Sequence, residues 1–364
     1  MKPSDLKANP HIEALKAYTP GEQPQGGGWI KLNTNENPYP PSSKAVEAIR
    51  VALGDNGTLL RLYPSPDSTP LREAAARVHG YSPESIVAGN GSDDILNLII
   101  RAYAGPGRSI GMLDPSYSLY PVLAAAQGAA VVKVAVKADY TFDVDAVAKC
   151  GASVFFLTNP NAPLGVAFAV ERVIALAKAF PGLLVVDEAY VAFAGESCVD
   201  LPKQFYNVVV TRTLSKGHAL AGLRAGYAIC PLGVAAVLHR VRDSYNLDCL
   251  AQVAAAAALQ DDAWLNETVG KITATRRRLM DALRGLGWKV NESSANFVLA
   301  EPVAKSGVAS VQAAESAFEF LRSKKILVRR FPNHFLTEKA LRITVGTDAE
   351  ADALVAAAGV WTKG

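Results

Sequence analysis

Apolar positions along this chain follow two periods in alternation. Short apolar runs of buried-strand type occur at residues 86–88, 111–113, 131–136, 154–157, 183–186 and 208–210. Between them, apolar residues return every three or four positions, as with Ile95, Leu98, Ile99 and Tyr103, and again over residues 119–127 and 170–179. The first period is that of a strand and the second that of an amphipathic helix. Strands alternating with helices predict an α/β fold, a mainly parallel central sheet covered by helices. Upstream, Val46, Ile49 and Leu53 fall on one face of a helix over 42–53, and a second helix is expected over 71–79 with Pro70 in its first turn.

Beyond Ile229 the pattern changes. Helical stretches at 234–243, 249–260 and 268–286 are followed by strands at 288–290, 296–299, 326–328 and 341–345, with a helix at 311–324. This predicts a smaller α+β domain. The expected division is an arm over 1–32, a large domain over 33–248 and a small domain over 249–364. The arm is polar and proline-rich, and reads either as a frayed terminus or as a segment that packs on a partner subunit.

Parallel strands project their carboxyl ends to one edge, which is where such sheets bind ligands. The residues at those ends carry the candidate chemistry. Gly91 and Ser92 lie in a Gly-Asn-Gly-Ser turn opening a helix, whose free N–H groups suit an anion. Tyr117, at another strand exit, either stacks on a planar ring or packs within its loop. Asp187 ends a strongly apolar run, where a carboxylate is costly unless paired: it is either a local cap or salt bridge, or it faces a cationic ring nitrogen that Tyr190 also approaches. Thr213 and Ser215 precede Lys216, and Arg224 follows among small residues. Hydroxyls with a guanidinium suit a phosphate dianion, and the lysine suits covalent capture of an aldehyde. Pyridoxal phosphate needs both. Arg329 and Arg342 sit at later strand ends, either as surface charges or, for Arg342 between apolar neighbours, as an anion clamp.

Composition narrows the field. The 364 residues carry a formal net charge of +3, too slight to argue for nucleic acid or an anionic membrane. No eighteen-residue apolar stretch exists to span a bilayer, and the first residues lack the apolar core of an export signal. The four cysteines form no C-x-x-C pair and the histidines no H-x-x-x-H, so no metal site is expected. A reducing cytoplasm is the simplest compartment.

Several segments together carry a resemblance: Asn35-Glu36-Asn37-Pro38-Tyr39, Arg61-Leu62-Tyr63-Pro64, Gly89-Asn90-Gly91-Ser92-Asp93, Asn159-Pro160-Asn161, Asp187-Glu188-Ala189-Tyr190, Thr213-Leu214-Ser215-Lys216 with Gly222-Leu223-Arg224, and Leu341-Arg342-Ile343-Thr344-Val345-Gly346. In this order they resemble the fold-type I pyridoxal-phosphate aminotransferases, specifically the histidinol-phosphate aminotransferase family. The resemblance implies that Lys216 holds the cofactor and then moves the substrate α-proton. It implies that Asp187 keeps the ring nitrogen protonated, that Tyr190 donates to the ring oxygen and that Tyr117 stacks on the ring. The phosphate would lie among Gly91, the backbone of Ser92 and Asp93, Thr213, Ser215 and Arg224. Tyr63 resembles a tyrosine that reaches the neighbouring subunit's cofactor, which implies a homodimer. Arg342 and Arg329 resemble arginines that bind the substrate's anionic end, with Asn35 and Tyr18 as further pocket residues.

The implied reaction is transfer of the amino group of L-histidinol phosphate to 2-oxoglutarate. Aromatic aminotransferase and threonine-phosphate decarboxylase activities are the alternatives on the same fold, and a catalytically silent ligand-sensing module is the alternative of another class. One departure stands out. The family's asparagine before the second proline of Asn-Pro-x-x-Pro, which bonds the ring oxygen, is Ala162 here. Asn161 is expected to take over that bond.

Overall fold

The computed structural model describes residues 7–305 and 307–364; residues 1–6 of the arm and Ser306 lie outside the described residues. Strand β1 (Ile30–Lys31) precedes the main series. That series is β2 (Ile86–Asn90), β3 (Ile110–Asp114), β4 (Val131–Ala135), β5 (Val154–Thr158), β6 (Leu183–Asp187), β7 (Val208–Thr213) and β8 (Ala225–Ile229). They form one seven-stranded sheet in the order β2-β8-β7-β6-β5-β3-β4. Strands β3 to β7 pair in parallel, while β8 runs antiparallel to both of its neighbours.

The central strands read as unbroken apolar runs because both faces of the sheet are covered. Successive side chains point to opposite faces. Leu184, Val186, Val208 and Val210 join one apolar layer, and Leu183, Val185 and Val209 the other. The second layer is closed by helices Ser92–Tyr103, Leu119–Ala126 and Leu232–Val241, which supply Ile95, Leu98, Tyr120 and Leu238.

The remaining strands are β9 (Lys289–Val290), β10 (Phe297–Glu301), β11 (Ile326–Leu327), β12 (Arg329–Arg330) and β13 (Leu341–Thr344). A four-stranded antiparallel sheet takes the order β12-β13-β10-β9. Its apolar face packs with Leu279, Trp288, Leu321 and Leu354 into a separate core. Strand β1 pairs in parallel with β11, and Leu32 enters that same core, so the end of the arm is stitched to the small sheet.

Two expectations need correction. Helix Cys249–Leu259, placed by the sequence pattern in the small domain, packs Ala251, Ala254, Ala255 and Ala258 into the large core against helices Ser43–Leu53 and Thr69–His79. Small side chains at helical spacing let the backbones approach closely, a packing signal that composition alone does not assign to either core. The terminal helix Asp348–Lys363 is absent from the elements the pattern predicts, although Thr347 and Glu350 cap it reciprocally.

Candidate active site

Asp187 is the last residue of β6, deep between β5 and β7. It is 2% exposed, and no salt bridge reaches it among the described residues. Tyr120 donates its hydroxyl to Oδ2 at 2.7 Å, and Thr211, its register partner on β7, donates to Oδ1 at 3.2 Å. Burial pushes the carboxyl up to about 6, and these two hydrogen bonds pull against that rise. A buried carboxyl held by donors and short of a cation is a place built for a positive partner.

Lys216 lies just past the end of β7. Its Nζ donates to the Thr34 carbonyl at 3.0 Å. Burial, then the nearby Arg342 charge, bring the ammonium down to about 8, with Glu36 and Asp93 opposing. The Asn37 amide donates to the carbonyls of Lys216 and Gly217 at 3.2 and 3.1 Å, which fixes the loop carrying the lysine. An amine lowered this far is about one-tenth neutral at pH 7, far more than an ordinary lysine, and is the nucleophile the site offers.

At one end of the same space is an anion cradle. Gly91 starts helix Ser92–Tyr103 with φ of 85° and caps it with no side chain, leaving the first N–H groups open. A Cβ on Gly226 of β8 would lie 2.5 Å from the Ser92 nitrogen, so glycine is what allows the helix start to sit on the strand. The hydroxyls of Thr213 and Ser215 lie 3.0 Å apart, and the Arg224 guanidinium reaches Ser215 Oγ and Asp93 Oδ2, each at 3.3 Å. The Asp93 carboxylate therefore orients Arg224 rather than facing the anion, and it in turn accepts from the Tyr117 hydroxyl at 3.2 Å.

The opposite end is cationic. Strand register sets Arg329 directly across from Arg342. The Arg342 guanidinium is held between the rings of Phe297 and Phe331, 5.3 and 5.0 Å from their centroids, and donates to the Asn33 carbonyl at 2.9 Å. Its buried Nε has no partner. Arg329 donates to the Thr19 carbonyl at 3.1 Å, tying the arm across this end.

These groups share one cavity of about 270 Å³, lined by Tyr18, Asn35, Ser92, Asp93, Tyr117, Asp187, Tyr190, Thr213, Ser215, Lys216, Arg224, Arg329 and Arg342 among others. Of the expected site residues, Gly91 borders it through Arg224, while Asn161 and Tyr63 stand outside. Asn161 is the correction that matters. It is fully buried, donates to the Pro115 carbonyl at 3.2 Å and accepts from the Leu164 amide at 3.3 Å. Its amide is spent on holding the loop, and Ala162 and Pro163 are the residues that face the cavity instead. Tyr63 is 82% exposed and stacks on Tyr245 at 4.7 Å.

The profile of the aminotransferase class I and II family matches residues 27–357. The histidinol-phosphate aminotransferase of Geobacter sulfurreducens is 44% identical over 95% of this chain and 97% of its own length. That of Synechocystis is 44% identical over 97% of each. The chain belongs to the class I and II aminotransferases, in the histidinol-phosphate aminotransferase family. The fold agrees. The crystal structure of histidinol-phosphate aminotransferase from Sinorhizobium meliloti in complex with pyridoxal 5'-phosphate superposes with a TM-score of 0.86 at 29% identity, covering 98% of this chain and 97% of that one. The Thermus thermophilus aspartate aminotransferase with maleate shares the fold at a TM-score of 0.82 and 22% identity, over 98% and 99% of the two chains.

For an aminotransferase of this family, the residues present fit pyridoxal phosphate. The cradle matches a phosphate in charge and donors, the buried Asp187 carboxylate suits a cationic nitrogen, and the Lys216 amine suits an aldehyde. Four contributors escape the sequence reading. Tyr120 and Thr211 hold Asp187, the Thr34 carbonyl holds Lys216, and Phe331 holds Arg342. Each acts through a residue distant in sequence. Only Thr211 has a local signal, one strand over from Asp187 and five residues before Lys216.

Proposed function

We propose that this chain is a pyridoxal-phosphate-dependent transaminase that takes the amino group of L-histidinol phosphate and passes it to 2-oxoglutarate, giving imidazole acetol phosphate and L-glutamate. The observation that carries this reading is the coexistence, in one cavity, of a buried carboxylate without a cation, a buried amine near 8, an anion cradle at one end and an arginine pair at the other. The 44% identity to proteins of that activity, over nearly the whole chain, supports the choice of donor.

The phosphate would be held by the N–H groups of Ser92 and Asp93, the hydroxyls of Thr213 and Ser215, and Arg224. Once bound, the cofactor supplies an electron sink that makes the substrate Cα–H acidic. The chain's own residues do the rest. Asp187 would keep the ring nitrogen protonated, Tyr190 would donate to the ring oxygen, and Tyr117 would pack on the ring face. The Lys216 Nζ, which lines the cavity, would be the base that takes the substrate α-proton and holds it for return. Arg342 and Arg329 bind the donor's phosphate or the acceptor's distal carboxylate, and the aromatic sandwich keeps Arg342 aimed while excluding water from it.

A homodimer is part of the same reading. Leu60, Leu62, Tyr63 and Tyr245 are exposed apolar side chains, a group unusual for a free surface and suited to burial against a second copy. Tyr63 would then reach the partner's phosphate cradle. The cytoplasm is the inferred compartment: all four cysteines are free, and no helix among the described residues is long and apolar enough to cross a membrane.

The test is an absorbance scan of cofactor-loaded protein. Loss of the yellow absorbance on adding L-histidinol phosphate, and its return with 2-oxoglutarate, is expected. A spectrum that stays unchanged with this donor but responds to phenylalanine or tyrosine would move the assignment to aromatic substrates.

A further inference from the structure

With Asn161 committed elsewhere and alanine at 162, no amide of the proline-punctuated loop reaches the cavity. Another amide does. Asn35 is 1% exposed, and its Nδ2 donates to the Tyr190 hydroxyl oxygen at 2.9 Å. We propose that Asn35 is the positioning residue for Tyr190: by donating into the phenol oxygen, it leaves Tyr190's own proton to be given to the cofactor's ring oxygen, and so replaces at one remove the amide missing at Ala162. This rests on the transaminase reading above.

The neighbouring hydrogen bonds set the orientation of the amide. The Thr344 hydroxyl oxygen accepts the Asn35 backbone N–H at 3.0 Å, and its proton goes to Asn35 Oδ1 at 3.2 Å. That assigns the carbonyl end of the amide to Thr344 and the NH2 end to Tyr190. A hydroxyl whose oxygen already accepts one bond turns its proton elsewhere and becomes a stronger donor. Tyr190 lines the cavity, and its ring is held edge-on by Phe297 at 5.2 Å, so the free direction is toward the cavity. The Asn296 amide donates to the Asn35 carbonyl at 2.9 Å, which pins the backbone independently of the side chain. Asn35 also has φ of 55°, in the left-handed region that asparagine tolerates and β-branched residues do not. Burial raises the Tyr190 phenol, which keeps it protonated and able to donate.

The sequence pattern places Asn35 among substrate residues. The structure gives its side-chain donor to Tyr190, which predicts an effect on the cofactor itself rather than on substrate affinity alone.

The test is the pH midpoint of the visible absorption of the cofactor-loaded protein without substrate. A donor on the ring oxygen draws charge from it and makes the adjacent lysine-bound nitrogen less basic. Asn35→Gly removes the amide while keeping the left-handed backbone free of strain. It is expected to raise the midpoint by about 0.5 to 1 pH unit, the scale of one hydrogen bond, and to lower kcat about tenfold or less with little change in KM for the donor. In a Tyr190→Phe background, Asn35→Gly should add no further shift. Thr344→Val keeps the asparagine but frees its amide to turn, and should move the midpoint in the same direction by less. A midpoint unmoved in both single variants, or one that Asn35→Gly shifts equally with and without Tyr190, overturns the assignment. Failure of the wild-type protein to form any yellow species overturns the transaminase reading and this inference with it. A yellow species with an unresponsive midpoint overturns only the role of Asn35.

Discussion

Tyr120 gives its hydroxyl proton to Asp187 across 2.7 Å from a ring that has no solvent exposure at all. The ring also stacks on Phe156 at 4.8 Å, so Tyr120→Phe removes the oxygen and leaves the packing. Asp187 then keeps only Thr211 as a side-chain donor, and its ionised form becomes harder to hold. A hydrogen bond to a charged group contributes about 1.5 to 3 kcal/mol. Cofactor affinity is therefore expected to fall by at least about tenfold, measured by absorbance titration of cofactor-free protein.

Asp187 is held at a cost to the cofactor-free protein. Its carboxyl stands at about 6 in the fold against 3.8 without it. Between those values the folded chain binds more protons than the unfolded one, so stability from this group is full below about pH 4 and is lost as pH rises through 6. The Asp187→Asn side chain does not ionise and has nothing to lose in that window. Cofactor-free Asp187→Asn should melt higher than the parent at pH 7.5, by up to ~3 kcal/mol of unfolding free energy, and no higher at pH 4. It should bind cofactor poorly at either pH. Equal melting temperatures at pH 7.5 would refute the strained-carboxylate account.

Lys216 titrates the other way. Burial and Arg342 lower its folded value to about 8 from 10.5. The neutral amine is the reactive one, so capture of pyridoxal phosphate by cofactor-free protein should speed up with pH through about 8 and then level off. Arg342→Met removes a repelling charge and should move that midpoint upward. Stopped-flow absorbance gives both numbers, and a rate that is flat from about pH 6.5 to 9 would exclude a lysine poised in this way.

Arg342 offers a different handle. Its planar guanidinium is matched to the flanking rings of Phe297 and Phe331, and a lysine ammonium is not. Arg342→Lys keeps the charge and loses the stack and the fork. KM for histidinol phosphate should rise about 10- to 100-fold, with a smaller change in kcat, in steady-state assays.

How much of this is legible in the sequence follows from which interactions are local. The strands, the crossover helices and the convergence of Ser92, Tyr117, Asp187 and Lys216 at one sheet edge follow from periodicity and parallel topology. Strand β8 escapes because Ala225-Gly226-Tyr227 carries too little apolar weight to read as a strand, although both its neighbours need it to close the sheet. Asn161 misleads because adjacency in sequence is not orientation: its neighbour Ala162 faces the cavity, while Asn161 turns to Pro115 and Leu164. Tyr120 and Thr34 cannot be found from spacing, since their partners lie far along the chain, on other elements.

The glycine of β8 gives the last test, because it separates a backbone requirement from a side-chain one. Gly226 does not sit at a positive φ, so alanine brings no conformational strain of its own there. The obstacle is space: a methyl group would lie 2.5 Å from the Ser92 nitrogen, 2.6 Å from the Gly91 carbonyl carbon and 3.0 Å from the Arg212 oxygen, all of them backbone. None can rotate aside, so the helix start must lift from the sheet, and with it the N–H groups that would meet the phosphate. Overpacking of this kind costs about 1 to 3 kcal/mol. Gly226→Ala should therefore lower both the melting temperature and the affinity for pyridoxal phosphate, and should weaken inorganic phosphate as a competitor of cofactor binding in parallel. Gly233→Ala, on a helix where a methyl group meets nothing within 4 Å, should leave both phosphate affinities unchanged and hold or slightly raise the melting temperature. If Gly226→Ala destabilises the fold but leaves both phosphate affinities intact, the cradle does not depend on the close seat of the helix on β8.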